Sequence, residues 1–301
     1  MLAELFEYKF IVNSLLAGIL ASISCGIIGT YIVTRRMVFL SGGITHASFG
    51  GIGIGYYFGL NPVIAAAVFA VLSALGIEFL SKKSNVREDS VIGILWSLGM
   101  AIGIIFIFIT PGYAPNLMTY LFGSILTVST LDIIFMAVVS VVIILIFIFF
   151  YRTILFVAYD QEFAQTHKLP VTFINNLLIS LVALTIVLNI KVVGIILVIS
   201  LLTIPQSIAN LFTNEFKNII IISIVIGLIG ALMGLLISYQ VNIPSGASII
   251  FSLVIFFIIA KIVQVIKQGK EIMGEPDVEM EVLNIPPMRF YTWQTEASGD
   301  R

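Results

Sequence analysis

Nine apolar runs, near residues 11–34, 38–60, 63–80, 90–110, 132–150, 173–190, 192–212, 218–240 and 247–266, fill most of the chain. Most approach ~20 residues, the length at which a helix crosses a hydrocarbon layer about 30 Å thick. None alternates with the period-two pattern of a barrel strand. In hydrocarbon the backbone N–H and C=O groups must bond within their own segment, so runs of this kind can only be helices. Composition agrees where it bears on solvent: 59% of 301 residues are hydrophobic and 10% charged, against about 25% charged in a soluble domain. The fold class is therefore all-α, a polytopic membrane protein with eight or nine spans, eight if one early run is interfacial or re-entrant. The first ten residues, MLAELFEYKF, carry acidic residues and no small-residue cleavage site. The first run thus reads as a retained helix.

Charge orients the helices. With the N-terminus outside, the inner ends collect Arg35, Arg36, Lys82, Lys83, Arg87, Arg152, Lys168, Lys217, Lys261, Lys267 and Lys270, while the outer side keeps Lys9 and Lys191. Such an asymmetry places the basic ends and the C-terminus in the cytoplasm. The membrane domain covers residues 1–268. The tail, 269–301, is acidic in its middle, carries Pro276, Pro286 and Pro287, and ends with Phe290, Tyr291 and Trp293. That composition predicts a disordered or loosely docked cytoplasmic segment.

The stretch 35–62 stands out. It carries His46, one of two histidines, beside small residues four apart at Gly43, Ala47, Gly51, Gly55 and Gly59. Fourfold spacing puts these on one helix face, and in a membrane such a face lets another helix approach backbone to backbone. His46 lies ~15 Å in from Arg36 at 1.5 Å per residue. An ionisable residue at that depth is a candidate functional site; the alternative is a buried structural histidine bonded to a carbonyl.

Three further stretches break the apolar pattern. Residues 120–126 are too short to span and suggest a half-helix or re-entrant element, after which Ser129 or Thr130 caps a helix starting near Asp132. Asp132 itself fits a first-turn acid that complements the helix dipole. Residues 151–172 form the longest polar interruption before the tail. There Asp160 caps a short helix over 161–167 and Pro170 helps to end it, while Phe156, Phe163 and Leu169 are apolar without an evident partner. They suit either docking of a partner protein or packing on the membrane surface. In the seventh run Pro205 frees a carbonyl and kinks the helix, and Gln206 and Asn210, one turn apart, either line a pathway or bond between helices.

Several chemistries are excluded. There is no phosphate-binding G-x-x-x-x-G-K-[ST] loop, no H-E-x-x-H and no paired intramembrane carboxylates, so ATP hydrolysis and metalloprotease chemistry are not expected of this chain. Cys25 is the single cysteine, which rules out an internal disulfide or a cysteine-based metal cluster. The chain reads as a path-forming subunit, not an enzyme.

Three segments resemble the permease subunits of ATP-binding-cassette (ABC) importers for zinc, manganese and iron. RRMVFLSGGITHASFGGIGIG (35–55) is similar to the family's R-R-M followed by D-A-L-S-H-A and a glycine-rich helix. YDQEFAQTHK (159–168) resembles its cytoplasmic D-x-E-x-A coupling segment, and VVGIILVISLLTIPQSIANLF (192–212) its V-G-x-L-L-V-x-x-L-L-x-x-P stretch. With the run count, the resemblance covers about residues 5–268. It implies an ABC-importer transmembrane domain in the bacterial cytoplasmic membrane. Two permeases would form a homodimer around a central path, a separate nucleotide-binding subunit would hydrolyse ATP, and an extracytoplasmic binding protein would deliver the metal ion. Asp160, Glu162 and Ala164 would lie on the coupling helix, with Phe156 and Phe163 as apolar anchors in the ATPase. No permanently bound cofactor and no nucleic acid is expected; the divalent metal is cargo.

One departure stands out. Where the family has an aspartate four residues before the histidine, this chain has Gly42, and the nearby Ser41 and Thr45 are weak ligands. A carboxylate and an imidazole one turn apart suit Zn²⁺, Mn²⁺ or Fe²⁺. The loss of the acid keeps a related importer for an iron chelate or another small solute open as an alternative. A stand-alone secondary transporter or channel is a third, disfavoured by the docking-like loop.

Overall fold

A computed structural model describes residues 9–83, 86–111, 123 and 128–274. The chain divides into two compact units, Met1–Ile262 and Val263–Arg301. In the second unit the described residues, to Gly274, are helical, so helix continues past the expected start of the tail at Gly269. The rest of the tail and the expected re-entrant element over 120–126, Gly123 aside, lie outside the described residues.

The first unit is a helical bundle. Its elements are α1 (Lys9–Thr34), α2 (Val38–Tyr57), α3 (Pro62–Lys83), α4 (Glu88–Ile109), α5 (Thr130–Phe149), the short α6 (Tyr151–Tyr159) and α7 (Gln161–Thr166), then α8 (Val171–Val193), α9 (Ile195–Asn210), α10 (Phe216–Val241) and the part of α11 (Ser245–Gly274) up to Ile262. Apart from α6 and α7, successive helices run in alternating directions. Arg35, Arg36 and Lys82 gather at one end of the bundle with the α6–α7 pair; Asp132 and Lys191 meet at the other.

Local chemistry sets the helix ends. Gly59, at φ +66°, closes α2, with the Leu60 N–H donating to Gly55 O at 2.8 Å; a Cβ there would be strained. Asn61 Oδ1 then accepts the Val63 N–H at 3.0 Å, so Asn61 caps α3. The expected cap of α5 is Ser129: its Oγ accepts the Asp132 N–H at 3.3 Å, and Asp132 Oδ2 accepts the Ser129 N–H at 3.2 Å. Asp132 does more than complement a dipole, because its Oδ1 also pairs with Lys191 Nζ at 2.6 Å, which ties α5 to α8.

Among the described residues seven helices are long and apolar enough to cross a membrane: α1, α3, α4, α5, α8, α10 and α11. The eight or nine expected spans are thus met in part. The two remaining long runs, α2 and α9, are enclosed by protein, and this explains their composition. Of the 20 residues of α2, 13 are buried, so glycine, serine and histidine replace the apolar side chains that lipid would demand. By contrast, α4, α5 and α11 expose Phe108, Phe149 and Phe251, an apolar exterior that suits lipid and not water.

Helix α2 packs against both α3 and α4. The fourfold row of small residues does not stay on one face. Four residues exceed the 3.6-residue turn, so each step moves about 40° further round the helix. Gly43 and Ala47 therefore meet α4, at Ile92 and Gly99, whereas Gly51 and Gly55 meet α3, at Ala65 and Pro62. Gly59 falls outside the helix. A second row completes the α4 contact: a Cβ built on Gly53 would lie 2.5 Å from Gly103 O, and one on Gly99 would lie 2.5 Å from Ala47 O. Backbone is touching backbone on both sides.

Gly53→Leu is therefore expected to force α2 and α4 apart, at a cost of ~1–3 kcal/mol or more, read as a lower melting temperature in detergent. Gly42→Ala adds a methyl that meets no atom within 4 Å, and the melting temperature should be unchanged.

Candidate functional site

The glycine contacts leave one side of α2 unpacked. Phe39 is exposed and Gly42 and His46 are half-buried on that side, while Ser41 and Thr45 are fully buried. Ser41 and Thr45 donate to their own helix, to Val38 O at 2.7 Å and to Ser41 O at 2.6 Å. They are therefore turned away from His46 as ligands. The His46 ring stacks flat on Trp96 of α4, centroids 4.2 Å apart and planes 6° apart, with Phe39 beside the same indole at 6.3 Å. Its Nδ1 makes no hydrogen bond, so the carbonyl-bonded alternative has no such bond at this nitrogen. A Cβ on Gly42 or on Gly93 of α4 would meet nothing within 4 Å. The result is an imidazole held in plane by an aromatic platform, its Nδ1 buried and unpartnered, with open space beside it at Gly42 and Gly93. Among the described residues no three His, Cys, Asp or Glu side chains converge where they could hold a metal ion, so this chain offers one imidazole and not a complete coordination shell.

A second surface lies at the basic end. The expected cap of the short helix is present: Asp160 Oδ1 accepts the Phe163 N–H at 2.9 Å at the start of α7. Before it stands α6, which the sequence reading took as loop. Ile154, Val157 and Ala158, spaced i, i+3 and i+4, bury one face of α6 against the bundle, as an amphipathic helix does. Phe156 and Phe163 are 41% and 44% exposed with ring centroids 5.6 Å apart. Glu162 is exposed beside them. Together the two rings form an apolar patch, and covering the exposed part of each would contribute roughly 1 kcal/mol. Ala164 differs from its expected companions: it is fully buried in the core, so it seats α7 on the bundle and is not part of the exposed surface.

Pro205, Gln206 and Asn210 separate in the same way. Pro205 deprives Leu201 O of its usual helical donor, and Gln206 Nε2 supplies a replacement at 3.1 Å while also donating to Cys25 O of α1 at 2.8 Å. Gln206 is fully buried, pressed against Gly29, whereas Asn210 is exposed at the end of α9. Gln206 thus bonds α9 to α1 through Cys25 O. Trp96 escaped the sequence reading. One of only two tryptophans, it sits three residues before Gly99, and the Gly99–Gly103 spacing was the signal that this stretch of α4 faces another helix.

Among the described residues, seven helices long and apolar enough to cross a membrane define a multi-pass helical membrane protein. The chain matches the ABC 3 transport family over residues 7–264 and belongs to that family. It is 40% identical over 259 residues to the uncharacterized membrane protein slr2045 of Synechocystis sp., covering 86% of this chain and 92% of that one. It is 34% identical over 259 residues to the manganese transport system membrane protein MntC of Listeria monocytogenes, with the same coverage. Among solved structures it is similar to PsaBC from Streptococcus pneumoniae in complex with Fab, at TM-score 0.77 and 32% identity, covering 86% of this chain and 95% of the other. The ABC permease resemblance drawn from the three sequence segments is thereby borne out.

The open space at Gly42 makes the missing carboxylate testable. Gly42→Asp sets an acid one turn from His46 without a clash. Mn²⁺ titration followed by tryptophan fluorescence should show binding tightened by about tenfold or more, ~1.4 kcal/mol, and the gain should vanish when His46→Ala is added.

Proposed function

We propose that this chain is the membrane permease of an ATP-driven importer of a divalent metal ion, and that it works by alternating access. The observation that carries this is the unpacked face of α2, where His46 lies flat on Trp96 with Nδ1 unpartnered. Mn²⁺ is the favoured cargo because relatives such as MntC are named as manganese transport proteins. All nine long helices cross the membrane, α2 and α9 within a sleeve of the others. The basic end faces the cytoplasm, as the positive-inside rule requires, and with it the C-terminus.

A second copy of the permease covers the open side of α2, so two His46 imidazoles approach a shared path in a homodimer. The exposed Phe156–Phe163 pair inserts into a separate nucleotide-binding subunit, and an extracytoplasmic metal-binding protein docks at the opposite end. The chain itself performs no hydrolysis. A lone imidazole per chain gives weak metal binding, which suits a step in a path: a cation must enter readily and also leave.

The test is uptake of Mn²⁺, Zn²⁺ and Fe²⁺ into proteoliposomes holding the chain with its ATPase and binding protein. Saturable, ATP-dependent Mn²⁺ uptake that falls at least about tenfold in His46→Ala, beyond the loss of one ordinary contact, is expected. Uptake of chelates but of no free ion would overturn the metal-ion reading in favour of a larger cargo. For docking, Phe163→Asp should abolish co-purification of the ATPase while the permease still inserts. Ala164→Asp buries an unpaired carboxylate in the core and should instead lose folded protein.

A further inference from the structure

Four polar side chains from four elements meet near the basic end, beside a cavity that Arg35, Arg36 and Lys82 also line: Tyr31 of α1, Glu78 of α3, Gln161 of α7 and Asn175 of α8. Asn175 lies at their centre, 1% exposed, and Tyr31 is fully buried. The Asn175 Nδ2 group donates to Glu78 Oε1 at 2.6 Å. Its Oδ1 accepts from Tyr31 OH at 3.2 Å and from Gln161 Nε2 at 3.3 Å. Reversing the amide would point its oxygen at the Glu78 carboxylate, so the network fixes its orientation. Lys82 pairs with the same carboxylate from one turn further along α3. Close by, Arg35 Nη1 donates to Val157 O at 3.3 Å, from the end of α1 to α6.

The position of this cluster is informative. Gln161 is the first residue of α7, directly after the capping Asp160 and two residues before the exposed Phe163. Glu78 stands on α3, the helix whose backbone touches Gly51 and Gly55 of α2. The cluster therefore joins the docking helix to a helix whose far end, at Pro62 and Ala65, packs on the helix that carries His46. Apolar packing at such a junction can slide by small increments. A hydrogen-bonded carboxylate cannot, because moving Asn175 away strips a partly buried charge of a partner, and partly satisfied polar networks are costly. The joint is consequently either made or broken, which is the property a transmitted motion needs.

We propose that the Tyr31–Glu78–Gln161–Asn175 cluster is the joint through which movement of α7 is passed to α1, α3 and α8, and that Asn175 is its positioning residue. This rests on the permease reading above. The reconstituted complex of permease, ATPase and binding protein, with Mn²⁺ as probe, gives three readouts: co-purification of the ATPase, its hydrolysis rate, and ions imported per ATP. Asn175→Asp places two carboxylates in contact and should lower ions per ATP by about tenfold, the scale of one charge-assisted hydrogen bond, while the ATPase remains bound and active. Adding Glu78→Gln should restore the ratio, since the amide introduced at position 78 donates to the carboxylate introduced at 175. A merely structural asparagine predicts no such rescue of stoichiometry. Gln161→Ala, a half-exposed truncation that leaves the core intact, should lower the ratio as well. Normal ions per ATP in Asn175→Asp or in Gln161→Ala, or failure of the double variant to recover, would overturn the proposal. If the unaltered complex imports no Mn²⁺ with ATP, it is the permease reading that falls, a result separate from an uncoupled variant in a working complex.

Discussion

Everything in the bundle depends on the contact of bare backbone between α2 and its neighbours α3 and α4. Lipid is as apolar as leucine, so burial of side chains gives little drive for helices to associate in a membrane. What remains is close packing, and glycine permits the closest. Gly53 against Gly103 and Gly99 against Ala47 leave no room for a Cβ on one side of α2, and Gly51 and Gly55 leave none on the other. Two such faces trap the helix. They also decide what is left over: the side carrying Phe39, Gly42 and His46 meets the Trp96 indole of α4 but leaves open space at Gly42, and that side carries the ionisable group.

Enclosure of α2 and α9 allows them chemistry that lipid would penalise. The α2 hydroxyls of Ser41, Thr45 and Ser48 all turn back to their own helix, Ser48 onto Thr45 O at 2.6 Å. In α9 the carbonyl orphaned by Pro205 is met by the side chain of the very next residue, Gln206, whose reach to Cys25 O also locks α9 to α1. Gly194, at φ +82°, lets α8 turn sharply into α9. Interior polar groups in these helices are thus mostly satisfied within one turn or by the adjoining helix. Against that background the Asn175 cluster is distinctive, because it draws on four elements at once.

The sequence disclosed these features unevenly, for physical reasons. Helix existence was legible throughout, since long apolar runs admit no other backbone solution. The Ser129 and Asp160 caps were legible because capping is local, a matter of three residues. The stripe at 43–59 showed that α2 packs closely but not that it packs on two helices, as the fourfold period hides a rotation that accumulates only over several turns. Amphipathic α6 is hidden because Leu155 and Phe156 lie between the buried Ile154, Val157 and Ala158, so the apolar residues run on from 154 to 158 and no single face stands out. Trp96 under His46 and Asn175 against Glu78 were beyond reach of pattern reading: the first joins residues 50 apart in sequence and the second residues 97 apart. Only the fold brings them together.

On the proposed function, a glycine at position 42, where the resemblance implies a carboxylate, fits this arrangement. An aspartate at that position would sit in open space one turn from the imidazole and convert a single donor into a chelating pair. Chelation strengthens binding chiefly by slowing release, and a transport path gains nothing from an ion that stays. A flat imidazole fixed by Trp96 keeps its direction without a second protein ligand, so preorganisation can replace some of the affinity that a carboxylate would add. On the proposed function, the remaining coordination positions would be filled by water or by another chain facing α2. A site completed only when chains come together would be one that a partner ATPase could open and close.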